Sequence, residues 1–288
     1  MSKIIESYIE KGFTFFHTEN PEKTTKVHWK KYQKQKPSEK EISAWGKIPY
    51  QNYAILCGQP SDIVVFDVDV YKGGDPTLFQ NRNMYEVRTA RGGLHFYAKY
   101  DPLFKTDHGV LLPNVDIQSD GTIVFAPPSK YTTGDVIGEY TIVNDVPIRP
   151  LDDDLLVYFA TLIEEKNPPK PPAQNYSKQN IPVSEMRPGD IFNYTMTWDE
   201  LMPYFGFKPV GRQNQMGRQF WCRPGKAYGI SASTNYNNYD LLFIYTTHFD
   251  ELQRLRGYTK FHAYTAMMCG GDFSKAAAEL QKNNYKLV

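Results

Sequence analysis

The chain has 288 residues, with 33 Lys and Arg against 32 Asp and Glu for a net charge of +1; it is long enough for two cores, and its balance excludes a uniformly basic protein that coats nucleic acid. Its 41% hydrophobic and 23% charged shares suit a globular protein, and it contains no run of about 18 apolar residues to cross a membrane. Cys57, Cys222 and Cys269 are dispersed, which argues against a disulfide framework or a cysteine-rich zinc site and for a reducing, cytoplasmic setting.

In chain order, "MSKIIESYIEKGF" is amphipathic and carries two acids, so residues 1–11 are expected as a helix and not as a secretory signal. "GFTFFHT" is aromatic-rich and reads as a buried strand. Between Lys23 and Lys40 stand seven lysines and one acid, Glu39, with Trp29 and Tyr32 interleaved. Such a segment suits a phosphate backbone with stacked bases, with Trp29, Lys30 and Lys31 as the contacts; a solvated lysine face explains the pattern better when taken alone. Ser38 with Glu41 three residues on is a capping box, which starts a helix ending near Trp45. Strand-like runs follow: "NYAILCG", "DIVVFDVDV", "MYEVRTA", "GLHFYAKY", "VDIQSDG" and "TIVFAPPS". The "SDG" turn predicts a hairpin joining the last two. "DDDLLVYFATLIEEK" has helical periodicity with acids at its start.

The expected organisation is a mixed α/β first domain over 1–166, a Pro-rich linker over 167–189 and a smaller, mainly helical domain over 190–288. In the last, "TWDELMPYFGF" begins a helix, "RQFWCRPGKAYGISASTNY" and "DLLFIYTTH" read as strands, and two helices flank Gly270-Gly271. Arg218, Arg223 and Lys226 beside Trp221 would suit template or primer phosphates; a strand packed by Trp221 with solvated ends suits the pattern equally.

Chemistry enters with Asp67 and Asp69. Side chains two apart on a strand share a face, and two carboxylates that close repel unless a cation lies between them. A divalent ion held by one or two carboxylates and substrate phosphates would resolve this, and so would an exposed strand end. In "VRTARGGLHFYAKY", Gly92 and Gly93 would let backbone approach a ligand, Arg91 could grip phosphate, and His95, Tyr97 and Lys99 would share one face. In "NVDIQSDGTIVFAPPSKY", Asp116 between Val115 and Ile117 again places an acid within an apolar strand.

DxD, then GGxH, then an apolar residue with Asp, a Gly turn and "APPS" resembles the primase–polymerase domain of the archaeo-eukaryotic primase superfamily, in the form found in phage and plasmid replication proteins. The upstream "KVHWKKYQKQKPSEKEISAW" and "NYAILCG" are similar too, so the resemblance covers about residues 5–160. It implies a mixed-sheet catalytic domain with an RRM-like core, and a DNA primase and polymerase. Asp67, Asp69 and Asp116 would hold two Mg²⁺ or Mn²⁺ ions. His95 and Arg91 would bind the triphosphate, with the Gly92-Gly93 backbone close by. Lys99 and Lys130 are weaker phosphate candidates, a solvated lysine being favoured for each, and for Ser129, which could also bond phosphate, a turn-shaping role is favoured. Implied partners are single-stranded template, primer, dNTPs or NTPs, and a replicative helicase, fused or separate. Many relatives carry Arg where Gln118 stands. The interval that holds a zinc-binding insertion in some relatives contains only His108 here, so no zinc is expected. The region after the linker resembles the segment that often precedes a helicase in such proteins. A glycosyltransferase using DxD leaves GGxH and "APPS" unexplained, and a non-catalytic nucleic-acid-binding module leaves the three carboxylates unexplained.

Overall fold

The computed structural model describes residues 2–18, 28–48, 52–133, 136–168, 186–215, 217–236, 239–246, 248–250 and 252–287. Most of the expected Pro-rich linker, 169–185, lies outside the described residues, as does 23–27 of the basic segment. The chain forms two units, Met1–Leu151 and Asp152–Val288.

In the first unit, period-two alternation gives each central strand two apolar faces. Strands β3 (Ile63–Val68), β4 (Tyr85–Arg88), β5 (Leu94–Lys99), β6 (Asp107–Leu112), β7 (Val115–Gln118) and β11 (Thr141–Asn144) form an antiparallel sheet in the order β11-β4-β5-β3-β7-β6. Strands β1 (Phe15–His17), β2 (Tyr53–Leu56) and β8 (Ile123–Ala126) form a second, three-stranded sheet. Tyr53, Ile55 and Phe15 pack with Ile63, Val65, Val87 and Tyr97 and with Ile5 and Tyr8 of α1 (Lys3–Glu10). The other face of the small sheet, Phe16, Ala54 and Leu56, lies under Trp29, Tyr32 and Trp45, the last on α2 (Glu39–Trp45). The other face of the large sheet buries Phe66, Phe79, Phe96 and Phe104 as an aromatic cluster. Strands β9 (Lys130–Thr133) and β10 (Val136–Glu139) pair as a hairpin of their own.

The expected "SDG" hairpin does not form: β7 pairs with β3 and β6, whereas β8 crosses to β2. The Asp120 carboxylate accepts from the Gln59 N–H at 2.9 Å and from the Tyr100 hydroxyl at 2.6 Å. The turn is thereby tied to the β2–β3 connection, and the chain leaves for the second sheet. The capping box at Ser38 and Glu41 is present.

The second unit begins with α3 (Asp153–Lys166), which the sequence placed at the close of the first domain. Its Glu164 is fully buried and accepts from Ser233 and Tyr245, so the helix is anchored here. Strands β12 (Lys208–Val210), β13 (Gln219–Cys222), β14 (Ala232–Thr234), β15 (Leu242–Ile244) and β16 (Gly257–Tyr258) form one antiparallel sheet. Helices α4 (Pro188–Thr195), α5 (Trp198–Tyr204), α6 (Lys260–Cys269) and α7 (Phe273–Lys282) contribute Phe192, Leu201, Ala263 and Leu280 to a core shared with Trp221, Leu242 and Ile244. The fold is mixed α+β throughout. No helix among the described residues is long and apolar enough to cross a membrane.

Candidate active site

The odd-numbered face of β3 runs Ile63, Val65, Asp67, from the core outwards. Asp67 has His95 on β5 as its cross-strand partner on one side and Asp116 on β7 on the other. Directly opposed residues of antiparallel strands point to the same face, so the three form one lateral row. His95 is 3% exposed, and its Nε2 lies 3.3 Å from Asp67 Oδ1. Asp116 meets Nδ1 of His108 at 3.4 Å. Asp69 lies just past β3; its N–H donates to the Asn114 carbonyl at 2.9 Å, and Lys72 pairs with its carboxylate.

Asp67, Asp69 and His95 line a cleft with Tyr71, Thr89, Arg91, Tyr131 and Tyr140. The cleft opens to solvent, and the space between these side chains is about 30 Å³, room for an ion or a water molecule. A nucleotide would have to lie across the mouth, where Arg91 stands. Gly92 adopts a left-handed φ of 82°. A Cβ on Gly93 would lie 2.8 Å from the Val68 carbonyl oxygen and 3.0 Å from Thr89 Oγ1. The two glycines therefore seat the β4–β5 turn against the end of β3, which brings Arg91 to the rim beside the carboxylates. Burial, with the neighbouring Asp67 charge adding to it, pushes the Tyr140 phenol far up from its ordinary value. A hydrogen bond to Tyr71 and the Tyr131 phenol raise the Arg91 guanidinium further.

Residues 5–154, more than half of the chain, match the family model of the bifunctional DNA primase/polymerase N-terminal domain. The chain belongs to this primase/polymerase family. No curated protein matches it.

Other residues expected in the primase/polymerase site take different places. Ser129 is buried, and its hydroxyl accepts from the Tyr53 N–H at 2.8 Å and donates to the Tyr53 carbonyl at 3.0 Å. It is a strut between the 126–129 turn and β2, not a phosphate ligand. Lys99 sits at the far end of β5, opposite Ile63, and pairs with Asp62 at 2.7 Å, so it is no part of the cleft. Lys130 uses its N–H on the Asn52 side chain, while its own side chain is exposed. Lys30 is exposed, Lys31 pairs with Glu41, and Trp29 stacks over Phe16 at 6.4 Å.

In the second unit, Trp221 is 3% exposed and its Nε1–H donates to Thr234 Oγ1 at 3.0 Å, so it is core and not a stacking platform. Arg218 forms an ion pair with the buried Glu164 and lies over the Phe220 and Tyr236 rings, so its guanidinium is already engaged within the second unit. Arg223 donates to the Pro224 carbonyl and Lys226 reaches the Ile230 carbonyl at 3.5 Å; both remain partly exposed.

Sequence reasoning missed Tyr71, Thr89, Tyr131 and Tyr140. Tyr71, two residues past Asp69, was the one with a signal, since the 3₁₀ turn Val70–Lys72 grows out of the DxD motif.

Proposed function

We propose that this chain is a nucleotidyltransferase that makes DNA primers on a single-stranded template and extends them. The observation that carries the reading is the lateral row His95, Asp67, Asp116, with Asp69 at the same strand end and Arg91 across the cleft. In-line attack of a 3′-hydroxyl on an α-phosphate forms one P–O bond as the bond to pyrophosphate breaks. It needs positioned charge more than a protein base.

The donor set fits Mg²⁺ or Mn²⁺, which take carboxylate oxygens and leave positions for phosphate. Among the described residues, no three His, Cys, Asp or Glu side chains already converge as an ion site. Asp67 and Asp69 nevertheless both open onto the ion-sized space, and Asp116 adjoins Asp67 in register. These three carboxylates would hold the metal. When bound, a divalent ion neutralises phosphate charge and acidifies the attacking hydroxyl. Arg91 would bind the triphosphate from the rim, and His95, oriented by Asp67, would face it from the sheet. Tyr140 packs against the His95 ring, with the ring centres 5.8 Å apart. The implied partners are template, primer and dNTPs or NTPs, in phage or plasmid replication in the cytoplasm, with a helicase acting ahead of the primase. The deciding experiment supplies unprimed and primed single-stranded DNA with labelled ATP or dATP and Mg²⁺ or Mn²⁺. New chains on the unprimed strand and elongation of the primed one support the reading; neither product with folded protein refutes it.

A further inference from the structure

Arg91 is held by parts of the chain that the proposed chemistry does not use. Its guanidinium lies 5.2 Å from the ring centre of Tyr131 and 5.8 Å from that of Tyr71, both within cation–π range. It also hydrogen-bonds the Tyr71 side chain. The two rings come from different elements. Tyr71 stands in the 3₁₀ turn that follows Asp69, and it is 43% exposed although it lines the cleft. Tyr131 stands on β9, in the hairpin whose partner strand places Gly138 directly opposite it. That glycine is where the hairpin meets the Arg91 loop. A Cβ there would fall 1.8 Å from the Ala90 carbonyl oxygen and 2.6 Å from its carbonyl carbon. The obstacle is backbone, so no rotamer could relieve it. Three segments thus converge on one arginine: the turn leaving the carboxylates, the β4–β5 turn that carries it, and the β9–β10 hairpin docked through a glycine.

We propose that Tyr71 and Tyr131 are positioning residues that clamp Arg91 over the cleft mouth for a triphosphate, and that Gly138 permits the docking that closes the clamp. This rests on the assignment of the cleft to triphosphate binding. An arginine on a flexible stem loses rotamer freedom when it grips phosphate; two tyrosines that already hold it remove part of that loss before the ligand arrives. With Tyr131 lying against the guanidinium and Tyr71 taking one donor, the remaining N–H groups are left to meet phosphate oxygens. The link through Tyr71 also ties this arginine to the segment that carries Asp69, so the phosphate contact and the carboxylates are set by one local structure.

The test needs no turnover. Sodium tripolyphosphate with Mg²⁺, and separately dATP with Mg²⁺, are titrated calorimetrically into the full chain and its variants, and primer–template affinity is measured beside them. Arg91→Ala should weaken tripolyphosphate about ten- to a hundredfold, the loss of a charged hydrogen-bond partner. Tyr131→Leu and Tyr71→Leu should each weaken it about two- to fivefold, while Tyr131→Phe, which keeps the ring, stays within about twofold of the parent. Gly138→Ala should behave as Tyr131→Leu does, although it touches no ligand. Tyr131→Leu added to Arg91→Ala should cost nothing more, since the two act as one unit. Primer–template affinity should not move in any variant. Should the hairpin variants fail to fold, Tyr71→Leu at its exposed position still decides. If Arg91→Ala weakens tripolyphosphate and the three ring and glycine variants do not, the clamp is wrong and the triphosphate assignment stands. If Tyr131→Phe loses as much as Tyr131→Leu, the ring face is not what holds Arg91 and the clamp is wrong. If Arg91→Ala changes nothing, the triphosphate assignment fails and takes the clamp with it.

Discussion

Replacing Arg218 by Ala should unfold part of the second unit and not impair a DNA contact. Arg218 pairs with Glu164, a carboxylate with no exposed surface that also accepts from the Ser233 and Tyr245 hydroxyls. The arginine itself is desolvated, which lowers its guanidinium below the ordinary value, and its plane covers Phe220 at 4.6 Å and Tyr236 at 5.1 Å. Removing one partner of such a pair leaves a buried charge uncompensated, at a cost of about 3–5 kcal/mol. That is a large part of the stability of an ordinary domain, roughly 5–15 kcal/mol. Hydrogen exchange read by mass spectrometry resolves where the loss falls. Amides of α3, β13, β14 and β15 should lose protection by roughly a hundredfold to several thousandfold, the same energy expressed as an opening equilibrium. Amides of β3, β5 and β7 in the first unit should keep theirs. Unchanged protection in α3 and β14, together with a reduced salt dependence of DNA binding, would refute this and restore Arg218 as a phosphate contact.

Three further outcomes follow from single contacts. Ser129→Ala should cost about 1–3 kcal/mol in urea denaturation, because it strands the Tyr53 N–H in the core, and should leave dATP affinity unchanged; a selective loss of nucleotide affinity would contradict the strut. Lys99→Ala should change stability by no more than about 1 kcal/mol and leave primer extension intact, as for an exposed ion pair; loss of extension would bring Lys99 back to the site. The hydrogen bond from Lys31, then those from the Ser38 backbone and hydroxyl, lower the Glu41 carboxyl from its ordinary 4.5 to about 2. A depressed carboxylate stabilises the fold above its unfolded value and loses that contribution as pH falls through its folded value. The urea midpoints of the parent and Glu41→Gln should therefore differ above about pH 4.5 and converge as pH falls towards about 2. A constant difference across that window would contradict the assignment.

Much of the site was legible because it is local. Alternation along β3 gives Asp67 its face, and the Gly-Gly turn announces a tight approach before His95. What local pattern cannot supply is the choice of partner strand. "VDIQSDGTIVF" reads as a hairpin, yet its two strands enter different sheets, because Asp120 is engaged by Gln59 and Tyr100. The lateral row of Asp67, His95 and Asp116 is a product of that pairing, so local pattern alone could not place it; only the family resemblance grouped these residues. Tyr131 and Tyr140 escaped for another reason. The segment "KYTTGDVIGEY" is polar and glycine-bearing, without the apolar alternation that marks a strand, and its hairpin matters only through contact with the Arg91 loop. In the second unit, a cluster of Arg, Trp and Lys looks the same in sequence whether it faces water or a core. Arg218 is buried because Glu164, far away on α3, comes to meet it, and nothing near Arg218 records that partner.

The most direct measurement of the central claim is templated incorporation by the parent and by Asp67→Asn with Asp69→Asn. Each labelled dNTP is offered singly on four primed templates that differ in the first unpaired base, with Mg²⁺ or Mn²⁺. The row of carboxylates predicts that the parent adds the complementary nucleotide on each template. The double variant, with hydrogen-exchange protection of β3, β5 and β7 preserved, should add none at a detectable rate. Incorporation near the parental rate by the folded double variant would contradict the claim, as would incorporation by the parent that ignores the template base.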